Sequence, residues 1–240
     1  MSDWQERTAL LFGIDQLKQL KNSHVLVVGL GGVGAFAAEQ IARVGIGKMT
    51  IVDGDMVTSS NKNRQLLALD SSLGKNKAGL MRDRLLDINP QLQLEVISDY
   101  ITADDMPQLL ERKYDYVVDA IDTLAPKIHL IYHSLQKRLP IVSSMGAGGK
   151  TDPSQIHISD ISETYNDKLA RMLRKRLHKK KVYTGVKVVF SSEEINPNSV
   201  VLTQGELNKR TTVGTVSYMP GLFGHFIASV VIRDILGIKI

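Results

Sequence analysis

Short apolar blocks and longer small-residue runs alternate along the chain. His24 to Gly29 (HVLVVG) and Lys48 to Asp53 (KMTIVD) are compact β-branched runs, which predicts buried strands. Gly34 to Gly45 has small and apolar residues throughout its length and closes on glycine, as a packed helix does. A short polar-faced helix is predicted over Asp15 to Asn22. Asn76 to Ile88 is helical by period and stops before Pro90, because the residue preceding a proline is pushed out of the helical region. Gln93–Ile97, Tyr114–Ala120 and Pro140–Ser143 read as further strands. Ala103–Glu111 and Pro126–Lys137 read as helices, the second with proline in its first turn. Strands alternating with helices predict an α/β fold: a Rossmann-like, mostly parallel sheet with helices on both faces.

The alternation is regular to about Gly149 and then changes. Met145 to Asp152 is a glycine-rich bend. Gln155–Ser159, Val186–Ser191 and Ser199–Thr203 are expected strands, and Asp167–Lys181 is a helix that becomes strongly basic. Val213 to Leu236 is the most apolar late stretch, but Pro220, Gly221, Gly224, His225 and Arg233 interrupt it. It reads as a loop followed by a core helix and not as a membrane span. With no repeat or low-complexity linker, residues 1–240 read as one domain. An ATP-type core occupies 1–149, and an α+β C-terminal extension follows over 150–240.

Composition narrows the chemistry by what is missing. The 240 residues include no cysteine, which excludes a disulfide framework, a Cys-ligated metal site and thiol chemistry in cis. Hydrophobic content of 43% and charged content of 23% are ordinary globular values. The first residues, with Asp3 and Glu6, form no basic-then-apolar signal segment, so a cytoplasmic protein without a membrane partner is expected. The six histidines show no ligand spacing and are assigned no metal or catalytic role. The formal net charge of +5 is modest but unevenly distributed, which invites an anionic partner.

The first chemical motif is Gly29-Leu30-Gly31-Gly32-Val33-Gly34, between a strand and a helix. Gly29, Gly31, Gly32 and Gly34 let the backbone turn tightly and approach a phosphate, while the helix N-terminus offers unpaired N–H groups. Asp53 closes the next strand, where a carboxylate accepts hydrogen bonds from ribose hydroxyls. To this point a nicotinamide or flavin oxidoreductase fits equally well. The next segment separates the readings. Asp55, Ser60, Asn61, Arg64 and Gln65 follow, then Gly74-Lys75-Asn76-Lys77. A dinucleotide needs no pair of fixed cations behind its ribose carboxylate. A triphosphate does, because charge builds on the β,γ-phosphates as pyrophosphate leaves, and Arg64 and Lys77 neutralise it. Asp122 follows a strand's C-terminal end and is placed to hold Mg²⁺ through water and the phosphates.

These elements together resemble the ThiF/MoeB/HesA family, which is related to ubiquitin-activating enzymes. The resemblance implies that the glycines lie along the phosphates of ATP, with Asp53 on the ribose. It places Asn61, Arg64 and Lys77 on the polyphosphate, with Asp55, Ser60 and Gln65 in the same motif and Asp122 as the Mg²⁺ partner. Members are homodimers or pseudo-dimers in which an N-terminal arginine reaches the partner's ATP, and Arg7 is the candidate here. Without cysteine, a thioester or persulfide step in cis is excluded. An acyl-adenylate attacked by an oxygen or nitrogen nucleophile remains.

Three further segments look like the tRNA threonylcarbamoyladenosine dehydratase branch. They are Thr8 to Gly13, Gly146 to Gly149 with Asp152-Pro153, and Val188 to Glu193. That branch adenylates a carboxylate on a tRNA nucleoside and closes a ring with loss of water. The basic helix agrees with it: Arg171, Arg174, Lys175, Arg176, Lys179, Lys180 and Lys181 form a candidate tRNA-phosphate surface. Aromatic content of 5% favours recognition of shape and phosphate over base stacking. The alternative is a sulfur-carrier adenylyltransferase acting on the C-terminus of a ubiquitin-like protein, with a sulfur-relay or redox protein as a further candidate partner. A nicotinamide-dependent oxidoreductase is the third reading.

Overall fold

A computed structural model describes residues 3–202 and 211–239. In chain order the helices are α1 (Glu6–Phe12), α2 (Ile14–Asn22), α3 (Gly34–Arg43), α4 (Lys77–Ile88), α5 (Met106–Leu109), α6 (Leu124–Gln136), α7 (Lys168–Lys179) and α8 (Tyr218–Ile235). The strands are β1 (His24–Val28), β2 (Lys48–Val52), β3 (Gln93–Ile97), β4 (Tyr116–Asp119), β5 (Ile141–Ser144), β6 (Ile156–Asp160), β7 (Lys187–Ser191), β8 (Val200–Leu202) and β9 (Thr211–Val213). Seven strands form one sheet in the order β3-β2-β1-β4-β5-β7-β6, and β8 pairs with β9 apart from it. All neighbours in the large sheet are parallel except β6, which runs antiparallel along β7.

Strand periodicity sorts the core into two layers. Along β1, Val25 and Val27 face α3, α4 and α8, whereas Leu26 and Val28 face α5, α6 and α7. Both sets are buried, which is why the strand carries no polar alternation. Ala35, Ala38 and Ala42 of α3 are fully buried; their short side chains let α8 pack close, with Phe223 and Ile227 filling the gap.

Four expectations shift. The segment Ala103–Glu111 keeps only four helical residues, because Asp105 turns back to accept from the Thr102 N–H and hydroxyl and Pro107 follows it. Residues Glu6–Phe12 form a helix that pattern reading did not single out; it buries no side chain, so it shows no amphipathic period. α8 starts early, taking Pro220 into its first turn, where the missing N–H costs nothing. The expected strand Ser199–Thr203 is present over Val200–Leu202, and Thr203 lies outside the described residues.

Candidate active site

The sheet order reverses between β1 and β4, so the chain leaves their C-terminal ends toward opposite faces of the sheet and a crevice opens between the two loops. The glycine loop enters it between β1 and α3. Gly29 has φ +91°, and a Cβ there would lie 2.7 Å from the Ala120 carbonyl oxygen at the exit of β4. A Cβ on Gly34 would lie 1.8 Å from the Gly29 carbonyl oxygen. Only glycine permits this compact loop, and the fit is backbone against backbone.

Asp53 fastens the loop to β2. Its carboxylate accepts from the Leu30 N–H at 2.6 Å and the Asp55 N–H at 2.8 Å. Burial raises the Asp53 carboxyl above the ordinary range, with the Lys77 charge and the two amides pulling the other way. Asp55 in turn holds Lys77: Nζ sits 2.8 Å from one carboxylate oxygen, and the Tyr100 hydroxyl donates to the other at 2.8 Å. The lysine side chain is only 5% exposed, so its ammonium is aimed by its surroundings. Lys77 also opens α4, whose cap is the Asn76 side chain accepting from the Gly79 N–H.

Arg64 and Gln65 lie over the glycine loop. The Arg64 stem approaches within 3.5 Å of where a Gly32 Cβ would stand. Its guanidinium bonds to the protein through Nη1, to the Ser60 carbonyl at 2.9 Å and Asn63 Oδ1 at 2.8 Å. Among the described residues the remaining donors of the fork make no further hydrogen bond. Gln65 Oε1 is buried without a partner. A carboxamide turned end for end presents an N–H at that position, which suits an anion. Asn61 and Ser60 serve the turn itself: Asn61 Oδ1 accepts from the Thr58 N–H at 3.2 Å, and the Ser60 and Thr58 hydroxyls are 3.0 Å apart.

Asp122 is exposed in the loop after β4. Beneath that loop is a pair not singled out from the sequence. Lys127 and Asp119, both fully enclosed, meet at 2.9 Å. Asp119 accepts from the Ser143 hydroxyl at 2.6 Å and the Ile121 N–H at 3.1 Å, while Lys127 donates to the Ile121 carbonyl at 3.0 Å. Both backbone groups of the residue before Asp122 are thereby held. The run VVDAID offers two aspartates, and only the strand register shows that the first points inward.

The glycine bend after β5 carries a second buried network. Asp167 caps α7 at Ala170 and accepts from the Gly146 N–H at 3.0 Å, and burial raises its carboxyl. Lys150, 1% exposed, donates to the carbonyls of Asn166, Ser191 and Glu193.

The other expected residues lie away from the crevice. Arg7 is exposed on α1; its neighbour Gln5 packs on Gly45 at the far end of α3, about 15 Å from the glycine loop by helix length. Arg171, Lys175, Arg176 and Lys179 are exposed on α7, and Lys181 just beyond it. Arg174 is different: its Nη1 donates to the carbonyls of Ile161 and Thr164, so it braces the helix.

The site fits ATP with Mg²⁺. At Gly31 and Gly32 the loop presents bare backbone next to Gln65 and Arg64, and Arg64 and Lys77 supply positive charge. Among the described residues no group of three or more His, Cys, Asp or Glu could hold a metal by itself. A single carboxylate with phosphates and water is the usual arrangement for Mg²⁺.

The model of the ThiF family matches residues 5–240. The chain is 45% identical over 187 residues to the tRNA threonylcarbamoyladenosine dehydratase of Bacillus subtilis (strain 168), covering 78% of this chain and 74% of that protein. It is 41% identical over 202 residues to the Escherichia coli (strain K12) enzyme of the same name, covering 80% and 75%. The crystal structure of the E. coli tRNA N6-threonylcarbamoyladenosine dehydratase, TcdA, in complex with ATP aligns with a TM-score of 0.88 at 35% identity, covering 98% of this chain and 96% of that one. The AMP complex of the same protein aligns at 0.87 and 37% identity, covering 98% and 96%.

Proposed function

Because the chain belongs to the ThiF family, we propose that it is an ATP-dependent tRNA threonylcarbamoyladenosine dehydratase. The carrying observation is that the crevice places Asp53, Arg64 and Lys77 around one glycine loop in a chain that matches an ATP-bound dehydratase over 98% of its length. A substrate carboxylate oxygen attacks the α-phosphorus of ATP, and the bond to the β-phosphate oxygen breaks. Pyrophosphate leaves and an acyl-adenylate remains. A nucleophile on the same substrate then attacks the activated carbonyl. It loses its proton, and AMP departs with the original carboxylate oxygen. The net change in the nucleoside is one water. Holding both reacting ends in one site makes the closure effectively unimolecular.

Each residue has a separable task. Asp53 receives the ribose hydroxyls while staying tied to the loop. Arg64 and Lys77 meet charge that grows on the leaving pyrophosphate, where such groups are worth most. Mg²⁺, when bound, would be held by Asp122 and would supply further charge neutralisation at the polyphosphate. Asp53 and Asp55 already set two carboxylates against Lys77, so a bound triphosphate calls for that added positive charge. The exposed basic residues of α7 bind tRNA phosphates. The protein acts as a cytoplasmic homodimer in which Arg7 reaches the partner's ATP. Supporting this are the distance of Arg7 from its own crevice and the 81% and 75% exposure of Leu10 and Leu11 beside it.

Incubation with ATP, Mg²⁺ and threonylcarbamoyl-modified tRNA, followed by weighing the released nucleoside, tests the reading. Loss of one water is expected. An unchanged mass, with pyrophosphate exchange driven instead by a Gly-Gly-ending protein, would replace it with the sulfur-carrier reading.

A further inference from the structure

Four helices of this protein end in the same backbone motif, and two of them break its usual residue preference. In α3 and α8, the residue past the C-cap is glycine in the left-handed region, Gly45 at φ +97° and Gly237 at φ +69°. The paired carbonyl closures are Gly45 to Ala42 with Ile46 to Ile41, and Gly237 to Asp234 with Ile238 to Arg233. α6 and α7 close identically, Arg138 to Leu135 with Leu139 to Ser134, and Lys181 to His178 with Val182 to Leu177. There the left-handed position holds Arg138 at φ 56° and Lys181 at φ 61°. A branched-free glycine would avoid the clash of Cβ with the following carbonyl, so each cation sits where the backbone disfavours a side chain.

The two ends converge. Lys180 Nζ lies 4.5 Å from the centroid of the Tyr132 ring, joining the last turns of α7 and α6. His133 is held below the ordinary imidazole range by burial and by the nearby charges of His129, Lys180 and Lys137. Lys18, Arg43, Lys62, Arg82, Arg112 and Lys187 are each paired with a carboxylate. Lys137, Arg138, Lys179, Lys180 and Lys181 take part in none of the ion pairs among the described residues. Asp160, which lies beside Gly185, is occupied by the amides of Ser162, Gly185 and Val186. Helix dipoles favour positive charge at these ends, but that preference is met by Lys137 and Lys179 without a strained residue beyond them.

Both helices start at the crevice. α6 follows Asp122 directly, and the α7 cap Asp167 accepts from Gly146 in the bend after β5. With 13 and 12 residues, their far ends stand about 18–20 Å from it. We propose that Arg138 and Lys181, flanked by Lys137, Lys179 and Lys180, form a phosphate clamp. It grips the double-helical stem of the RNA whose adjoining loop nucleotide occupies the ATP crevice. The clamp rests on the tRNA reading above and adds a second point of grip, on α6 as well as α7, one helix length from the chemistry. Its chemistry suits a regular phosphate backbone read by shape, since double-stranded RNA is recognised chiefly through its phosphates and sugars.

The test compares Arg138→Gly, Lys181→Gly and the double variant with the unaltered protein. Dissociation constants are measured over a salt series for an RNA stem-loop carrying the threonylcarbamoyl-modified nucleoside in its loop and for that loop alone as a short oligonucleotide. Melting temperature is recorded in parallel. The double variant should bind the stem-loop about tenfold more weakly, and its log–log salt slope should become shallower by about 1.4–1.8, two contacts at roughly 0.7–0.9 each. The preference for stem-loop over loop should shrink by the same factor, and the melting temperature should hold or rise. Equal losses on both RNAs, or unchanged stem-loop binding, would overturn the clamp and return both residues to a purely structural role. If the unaltered protein dehydrates no RNA, the tRNA reading itself fails; if the variants dehydrate the stem-loop with unchanged KM, only the clamp does.

Discussion

The Lys77 ammonium sits 2.8 Å from the Asp55 carboxylate, with 5% of the lysine side chain exposed and half of the aspartate. The cation proposed to meet the leaving pyrophosphate is therefore held in place by the protein itself. Preorganisation of this kind is what makes a charge more valuable in a transition state than in water.

Lys77→Ala should lower the rate of AMP formation by roughly 10²–10³, the usual scale for removing one charge-stabilising donor. Stability should change little, because Asp55 remains half in solvent. Asp55→Ala should do the reverse in part: it strands an enclosed ammonium and should cost about 1–3 kcal/mol of stability, by denaturant midpoint. A Lys77→Ala protein that retains most of its activity would remove this residue from the machinery.

The raised carboxyl of Asp53 gives a pH dependence. Its folded value lies above its unfolded one, so its contribution to stability is full below the unfolded value and is lost as pH rises through the folded value. Ligand binding has the opposite requirement, since ribose hydroxyls donate to the ionised form. ATP affinity should therefore fall on the acid side starting above the ordinary aspartate range. Calorimetric titrations of ATP across pH should show that limb, and Asp53→Asn should abolish it while weakening binding at neutral pH. A limb that persists in Asp53→Asn would assign it elsewhere.

Much of this site was legible in the chain, and the reason is local. Gly29 to Gly34, Asp53, Arg64 and Lys77, the residues proposed for the nucleotide, lie at turns and strand ends whose places sequence spacing fixes to within a residue. The buried pair Asp119–Lys127 was not, because which aspartate of VVDAID points inward depends on the pairing of β4 between β1 and β5. The place of Arg174 was hidden for a related reason. Its neighbours on α7 are exposed, but helix phase turns its guanidinium toward the carbonyls of Ile161 and Thr164. α1 left no trace in the pattern because a helix with no buried face has no period to detect.

Lys127→Met should be among the most destabilising single changes in this chain. It leaves Asp119 fully enclosed with hydrogen bonds but no counter-charge, a loss of about 3–5 kcal/mol. Adding Asp119→Asn should recover part of that loss, since the uncharged carboxamide oxygen still accepts from the Ile121 N–H and the Ser143 hydroxyl can rotate to accept from the amide N–H. Urea midpoints of the two single variants and the double form the cycle. Strict additivity would mean that the two charges do not depend on each other.

Acid should loosen the bend that follows β5. The Glu193 carboxylate is enclosed enough for burial to raise it, yet the Asp152 and Thr151 amides and the Thr151 hydroxyl outweigh that and hold it below the ordinary range. Its folded value is thus depressed. Its contribution is present above the unfolded value and is lost as pH falls through the folded one, that is, below the usual glutamate range. The same residue's carbonyl accepts from the buried Lys150, so protonation weakens one side of a segment whose other side encloses a charge. Glu193→Gln should lower stability at neutral pH and flatten the acid limb of a stability–pH curve relative to the unaltered protein. Thermal melts at intervals from neutral to strongly acid pH would check this, and parallel curves for the two proteins would show that Glu193 is not the group being titrated.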